Sequence, residues 1–206
     1  MAEPVKRDQA RTRLARRAVV DAARTLFLER GYAGTTIEAI SEHADVPSPT
    51  VYRLFSSKLG ILKALLDTSI AGDDQPVAVE ERPGVASLFT ESDPATLLAG
   101  VAAVTTAINQ RTNDVYRVLV SAAGSDPGAA ELLGEIRHQR DRGQSQIARV
   151  LARTHSLQPG LRERDAADVI HALMAPEVYR LLVGDRGWTP ERYERWLTAT
   201  LTQQLI

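Results

Sequence analysis

Four times in this chain a helix-capping side chain is followed at once by proline: Ser48-Pro49, Asp93-Pro94, Asp126-Pro127 and Thr189-Pro190. The oxygen of the capping residue can accept one of the unpaired N–H groups in a helix's opening turn. Proline suits the next position, because its missing N–H would have no partner there. No stretch alternates apolar and polar residues between tight turns, as the strands of a hairpin do. Together these features predict an all-α chain.

Apolar spacing places the helices. A first helix is expected over residues 11–30, with Ala18, Ala22 and Leu26 at four-residue intervals, Val19 and Phe27 widening the stripe, and Gly31 as the residue beyond its end. A second begins near Thr36 with Ile37, Ile40 and Ala44 inward. A third begins at Ser48 and turns Val51, Leu54 and Phe55 to the same core. A fourth covers 58–71, with Ile61, Leu62, Leu65 and Leu66 apolar. Residues 72–84 lose periodicity and gather acids and prolines, so a boundary is expected there, between a domain at 1–72 and one at 73–206. Later helices are expected over 94–123, 127–154, 163–183 and 190–204, with a short one near 85–89. Pro176 should break the third of these by freeing the carbonyl of Ala172.

The composition, 44% apolar and 25% charged, excludes disorder over most of the length. No apolar run approaches the roughly 18 residues a membrane span needs, and the first residues hold no apolar signal segment. The lack of cysteine excludes disulfides and thiolate metal sites; a cytoplasmic location is expected. The net charge of −1 hides an asymmetry, since residues 1–63 hold eleven Lys or Arg against seven Asp or Glu. Six of these cations, Lys6, Arg7, Arg11, Arg13, Arg16 and Arg17, lie in the first seventeen residues. A basic end on a near-neutral chain points to a polyanion, or else to a solvated terminus.

Residues 36–55 (TIEAISEHADVPSPTVYRLF) are laid out as a helix-turn-helix: a short amphipathic helix, a turn at Asp45-Val46-Pro47, and a second short helix. Val46 is expected to pack between the two. Such a second helix fits the DNA major groove with its first residues at base edges. The stretch resembles the TetR family, whose pattern runs from a Thr-Thr helix start through an Ala-Gly-Val turn to Thr-hydrophobic-Tyr-basic-x-Phe-x-x-Lys. Here those elements read Thr35-Thr36, Ala44-Asp45-Val46 and Thr50-Val51-Tyr52-Arg53-Leu54-Phe55-Ser56-Ser57-Lys58. Upstream, Leu26-Phe27 and Gly31-Tyr32 are also similar, and the likeness covers residues 13–66. Two departures stand out. Asp45 replaces the usual turn glycine, and Pro47 replaces the usual capping serine, moving the expected cap to Ser48.

Ser48 and Thr50 can bond a base edge or a phosphate, and Val51 can pack on a thymine methyl. The resemblance implies phosphate contacts at Thr36, Tyr52 and Lys58, with the Tyr52 ring against the domain core. Arg53 is a phosphate contact or a solvated charge. The family further implies a homodimer through the last two helices, reading a palindromic double-stranded operator. Tyr193, Leu197, Leu201 and Leu205, flanked by Trp188 and Trp196, are offered to that interface or to the chain's own core. It also implies a small-molecule effector enclosed by the C-terminal helices, with Asn109, Tyr116, His171, Met174, Glu177 and Tyr179 as candidate lining. Glu177 and Arg180 read equally as a surface pair. The resulting expectation is a repressor released from its operator by the effector, with no cofactor and no metal.

Enzyme signals are missing. The histidines at 43, 138, 155 and 171 show no metal-ligand spacing, and there is no GxSxG elbow, P-loop or dinucleotide fingerprint. The run 137–142 (RHQRDR) reads as a solvated helix face. The rival readings are an architectural DNA-binding protein without an effector, and an enzyme or carrier that kept the helical fold.

Overall fold

The computed structural model describes residues 3–72 and 82–206, with side chains from residue 9 onward. Lys6, Arg7 and the 73–81 part of the expected connection lie outside the described side chains. Every described element is helical: α1 (Glu3–Arg30), α2 (Ile37–Ala44), α3 (Ser48–Phe55), α4 (Lys58–Ala71), α5 (Pro83–Ala86) with a 3-10 turn at Ser87–Thr90, α6 (Pro94–Ala123), α7 (Pro127–Arg153), α8 (Glu163–Leu173), α9 (Pro176–Tyr179) with a π-helical turn at Arg180–Asp185, and α10 (Pro190–Leu205).

Three of the four cap-proline pairs act as read. Asp93, Asp126 and Thr189 accept the N–H groups of Thr96, Ala129 and Arg192 at 2.9, 3.1 and 3.2 Å. Gly31 closes α1 with φ +71, its N–H reaching the Phe27 carbonyl. Two boundaries differ from expectation. The first helix begins at Glu3 rather than near 11, because the proline at position 4 falls in its opening turn, where no N–H is needed. The helix expected over 163–183 ends at Leu173. Ala175 precedes Pro176 and is extended, with φ −62 and ψ 136, as pre-proline sterics favour. The Ala172 carbonyl is not left free, since it accepts the N–H of Ala175 at 3.4 Å.

The chain folds into two compact units: Met1–Ser69 with Asp114–Gly134, and Ile70–Asn113 with Glu135–Ile206. The first unit thus draws the end of α6 and the start of α7 from distant sequence, which a boundary near residue 72 does not express. In it, α1 buries Val19, Ala22, Ala23, Leu26 and Phe27, the three-and-four spacing of one helix face. Against these lie Ile40, Val51, Phe55, Ile61, Leu62, Leu65 and Leu66, all at most 6% exposed. Each such Leu, Ile or Phe contributes about 1.5–3 kcal/mol by leaving water.

The core of the second unit takes Leu97, Leu98, Val101 and Ala102 from α6, Ile147, Ala148, Val150 and Leu151 from α7, and Ala166 and Ile170 from α8. Tyr179 from α9 and Tyr193, Leu197, Leu201 and Leu205 from α10 complete it. Those last four residues are fully buried, so the stripe offered to a dimer interface belongs to the chain's own core. Trp188 and Trp196 remain half-buried, and Leu181 is 52% exposed.

Candidate functional site

The helix-turn-helix is held by its own short polar side chains. Thr36 caps α2, accepting the N–H of Ala39 at 3.1 Å. Asp45 follows α2 in the left-handed conformation, φ 51 and ψ 41, which aspartate tolerates better than most residues other than glycine. Val46, 8% exposed, then turns inward as expected. Ser41 donates from Oγ to the Val46 carbonyl at 2.6 Å, and Ser48 donates to Ser41 Oγ at 3.0 Å. This relay of hydroxyls ties α2, the turn and α3 together and fixes where α3 projects.

Ser48 is therefore not the cap of α3. Pro47 takes that place: its carbonyl accepts the N–H groups of Thr50 and Val51 at 2.8 and 3.1 Å, and no side chain caps the helix. The Ser48 hydroxyl is drawn to Ser41 instead, a partner seven residues back. At the other end of α3, Arg16 reaches in from α1. It donates to the Leu54 carbonyl at 3.3 Å and lays its guanidinium 4.7 Å from the Phe55 ring centre. A cation at a helix C-terminus also suits the helix dipole.

Lys58 differs most from its expected role. Its Nζ donates to the carbonyls of Tyr32 and Thr35 at 2.8 and 2.9 Å and lies 4.3 Å from the centre of the Tyr32 ring. The ammonium that the family pattern assigns to phosphate is directed inward, bracing the 31–35 turn against α4. Thr35, fully buried, braces the same turn by donating to the Leu26 and Gly31 carbonyls at 3.1 and 2.8 Å. Burial and the adjacent Asp126, which accepts its hydroxyl, push the Tyr32 phenol up to about 12. Gly60 is a further requirement of the corner, because a Cβ there would overlap the Phe55 carbonyl oxygen.

Val51 is fully buried, so it packs in the core and cannot meet a thymine methyl. Tyr52 is 47% exposed, so part of its surface is open to solvent and the rest is covered. Thr36, Pro49 and Arg53 are also exposed, and Ser48 and Thr50 half so. The outer face of α3 is thus Pro49, Tyr52 and Arg53 with part of Ser48 and Thr50. Pro49 was missed as an exposed apolar residue of this face; its place in the first turn was the available signal. Arg16 was missed because its partner lies 38 residues away, and Ser41 and Gly60 because theirs lie outside their own helix, across a turn.

The effector candidates do not come together as a set. Tyr116 belongs to the first unit, buried, its hydroxyl without a hydrogen bond. Glu177 is exposed, and Arg180 pairs with Asp185 at 3.3 Å, so neither reading of Glu177 as lining or as the partner of Arg180 is met. In the second unit, Asn109 and Tyr179 are buried, Met174 packs on the core, and His171 Nδ1 meets Gln144 Oε1 at 2.8 Å. Tyr179 and Tyr193 stack edge to face at 4.9 Å. Burial, then the Tyr179 phenol, raises the Tyr193 pKa, and the nearby Asn109 amide opposes them. Among the described residues no group of His, Asp and Glu is placed to hold a metal ion, and no helix is long and apolar enough to cross a membrane.

Residues 19–65 match the family model described as bacterial regulatory proteins, tetR family. An HTH-type transcriptional regulator of Bacillus subtilis, YvkB, is 42% identical over 48 residues, 23% of this chain and 25% of that protein. This match spans only about a quarter of the relative's length. Across nearly the whole chain the likeness is of fold. NalD of Pseudomonas aeruginosa, the secondary repressor of the MexAB-OprM multidrug efflux pump, superposes with a TM-score of 0.71 at 21% identity, over 97% of this chain and 98% of NalD. FadR of Bacillus subtilis, solved in complex with stearoyl-CoA, gives 0.66 at 17% identity, over 90% and 96%. The braced helix-turn-helix and the sequence pattern at 19–65 thus agree in making that segment similar to the tetR family of bacterial regulatory proteins, and the chain as a whole shares the all-helical fold of the regulators compared.

Proposed function

We propose that the chain is a sequence-specific DNA-binding transcriptional regulator, a repressor released from a palindromic operator by a small molecule. The observation that carries the reading is α3. It is a short helix held from both ends, by the Ser41–Ser48 relay and by Arg16, with Pro49, Tyr52 and Arg53 turned outward. A rigid helix with polar and apolar groups on its first turns meets the geometric needs of major-groove readout. Thr36, Ser48, Thr50, Tyr52 and Arg53 contact DNA, Pro49 replaces Val51 as the apolar contact, and Lys58 positions the corner.

Residues 1–72 form the DNA-binding part and 73–206 the effector-binding and dimerising part. One short helix reads too few bases for a genomic site, so two copies bind half-sites about 34–36 Å apart or a multiple of that. The exposed Leu181 and half-buried Trp188 and Trp196 support pairing through the last two helices. NalD's role as a repressor and FadR's bound stearoyl-CoA support repression and ligand control respectively. The regulator acts in the cytoplasm, without enzymatic activity, and the ligand favours a dimer whose recognition helices no longer match the operator.

A nuclease footprint on DNA flanking the chain's own coding region, repeated over a salt series, tests this. The expected result is a palindromic footprint and a log-log salt slope near −0.9 per phosphate contacted. Arg53→Ala should flatten that slope by about one unit if Arg53 is a phosphate contact. Sequence-independent binding without a palindromic footprint would overturn the reading.

A further inference from the structure

The second unit buries polar atoms that find no hydrogen-bond partner: Asn109 Nδ2, Gln144 Nε2, Arg140 Nε and the Tyr193 hydroxyl. Asn109, Gln144 and Tyr193 are 5%, 3% and 0% exposed, so bulk water does not serve them. Buried polar groups are nearly always paired, and an unpaired one calls for a function or an unseen partner.

These groups lie at one end of the same core. On α6, Asn109 comes two turns beyond Val101 and Ala102; on α7, which returns after a three-residue turn, Gln144 comes one turn before Ile147 and Ala148. On α8, His171 follows Ile170 at the end of the buried run and bonds Gln144, while on α10 Tyr193 precedes Leu197 at its start. Arg140 stands one turn before Gln144 on the same face of α7. Asn109 lies near enough to the Tyr193 hydroxyl to favour its ionised form, yet neither atom completes a hydrogen bond.

The chemistry of the set leans to donors. The unpaired amide and guanidinium atoms are N–H donors, and the phenol can donate or accept. The Gln144 oxygen, which could have accepted, is taken by His171. Apolar side chains of the core make up the rest of the surroundings. We propose that this end of the core binds a small molecule with an apolar body and a carbonyl or carboxylate head, whose oxygens accept from Asn109, Gln144, Arg140 and Tyr193. A cationic amine would face the like charge of the Arg140 guanidinium and is disfavoured. This inference rests on the proposed effector-binding role of the second unit and names the ligand class.

Calorimetric titration of the full chain with octanoate, methyl octanoate and octylammonium tests it, with thermal unfolding of each variant measured alongside. Octanoate, methyl octanoate or both should bind and octylammonium should not; binding of the acid alone assigns the head to the carboxylate, and of the ester as well to any carbonyl oxygen. Asn109→Leu should weaken binding about tenfold while leaving Tm unchanged or higher, because it removes an unpaired buried group. Gln144→Glu, close in shape, should weaken octanoate by reversing the donor. Equal binding of octylammonium, no binding of either oxygen-bearing probe at millimolar concentration, or an Asn109→Leu chain that loses stability but binds normally overturns the proposal. A gel shift separates this from the regulatory reading. If octanoate binds as described but leaves the operator occupied, release by ligand fails and the ligand class stands. If another molecule releases DNA equally from the Asn109→Leu chain, the ligand class fails and release stands.

Discussion

The two units of this chain differ in their buried polar groups, although each also holds hydroxyls bonded back to their own helix, Ser69 in the first and Thr106 and Thr112 in the second. In the first, Thr35, Ser41, Ser48, Lys58 and Ser69 all donate to named oxygens within the unit, at 2.6–3.1 Å. The Tyr116 hydroxyl is its exception. In the second, Asn109, Gln144 and Tyr193 carry buried atoms with no partner. Hydrogen bonds completed inside a fold hold it to one conformation, while those left open are capacity for something that arrives later. The first arrangement suits the DNA-reading helix proposed for the first unit, and the second suits the ligand site proposed for the other.

The largest expected effect is at Gly60. Gly60→Ala forces a methyl group into the Phe55 carbonyl, which is backbone and cannot swing aside, and should cost about 3 kcal/mol of stability by urea unfolding. A neutral result would mean that the α3–α4 corner is less rigid than its contacts imply. Next is Lys58→Met, which keeps the side-chain length but leaves the Tyr32 and Thr35 carbonyls without the ammonium, at a cost of about 2–3 kcal/mol. Asn109→Leu should show the opposite sign, neutral to about 1 kcal/mol more stable. If both variants lost stability equally, the contrast between the units would collapse.

The smallest effect is alkaline. Unfolded, Tyr32 ionises near 10.0; folded, near 12. Below pH 10 both states keep the proton and the stabilisation is complete. Between 10 and 12 the unfolded chain alone gives it up, so stability falls as pH rises. Tyr32→Phe should flatten this part of a pH-stability profile, and an unchanged profile would deny the burial of Tyr32, and with it the Asp126 contact, their effect.

Local chemistry was the legible part. The caps at Asp93, Asp126 and Thr189, the end at Gly31 and the left-handed Asp45 each depend on atoms within a few residues, and pattern reading reaches that far. Ser48 failed because a hydroxyl seven residues away competed for it. Val51 had been offered both to the core and to DNA, and the three-helix packing chose the core. Lys58 sits where the family pattern puts a phosphate contact, yet its carbonyl partners are 23 and 26 residues upstream, beyond any local signal. Gln144 was hidden next to a run of charges. Its spacing from Ile147, Ala148 and Leu151, three, four and seven residues, places it on the apolar stripe and could have marked it. Glu177 was chosen for its helix, and that helix ends before it.

Trp188 and Trp196 are the two tryptophans of the chain, and they meet edge to face with ring centres 6.1 Å apart, Tyr193 lying 5.8 Å from Trp196. Both belong to the second unit. Excitation near 295 nm therefore sees that unit alone, while far-ultraviolet dichroism sees every helix. Melting curves from the two signals that coincide would mean one cooperative transition, and curves that separate would mean two. The chain thus carries, without labelling, an optical probe that distinguishes the unfolding of one half from that of the whole.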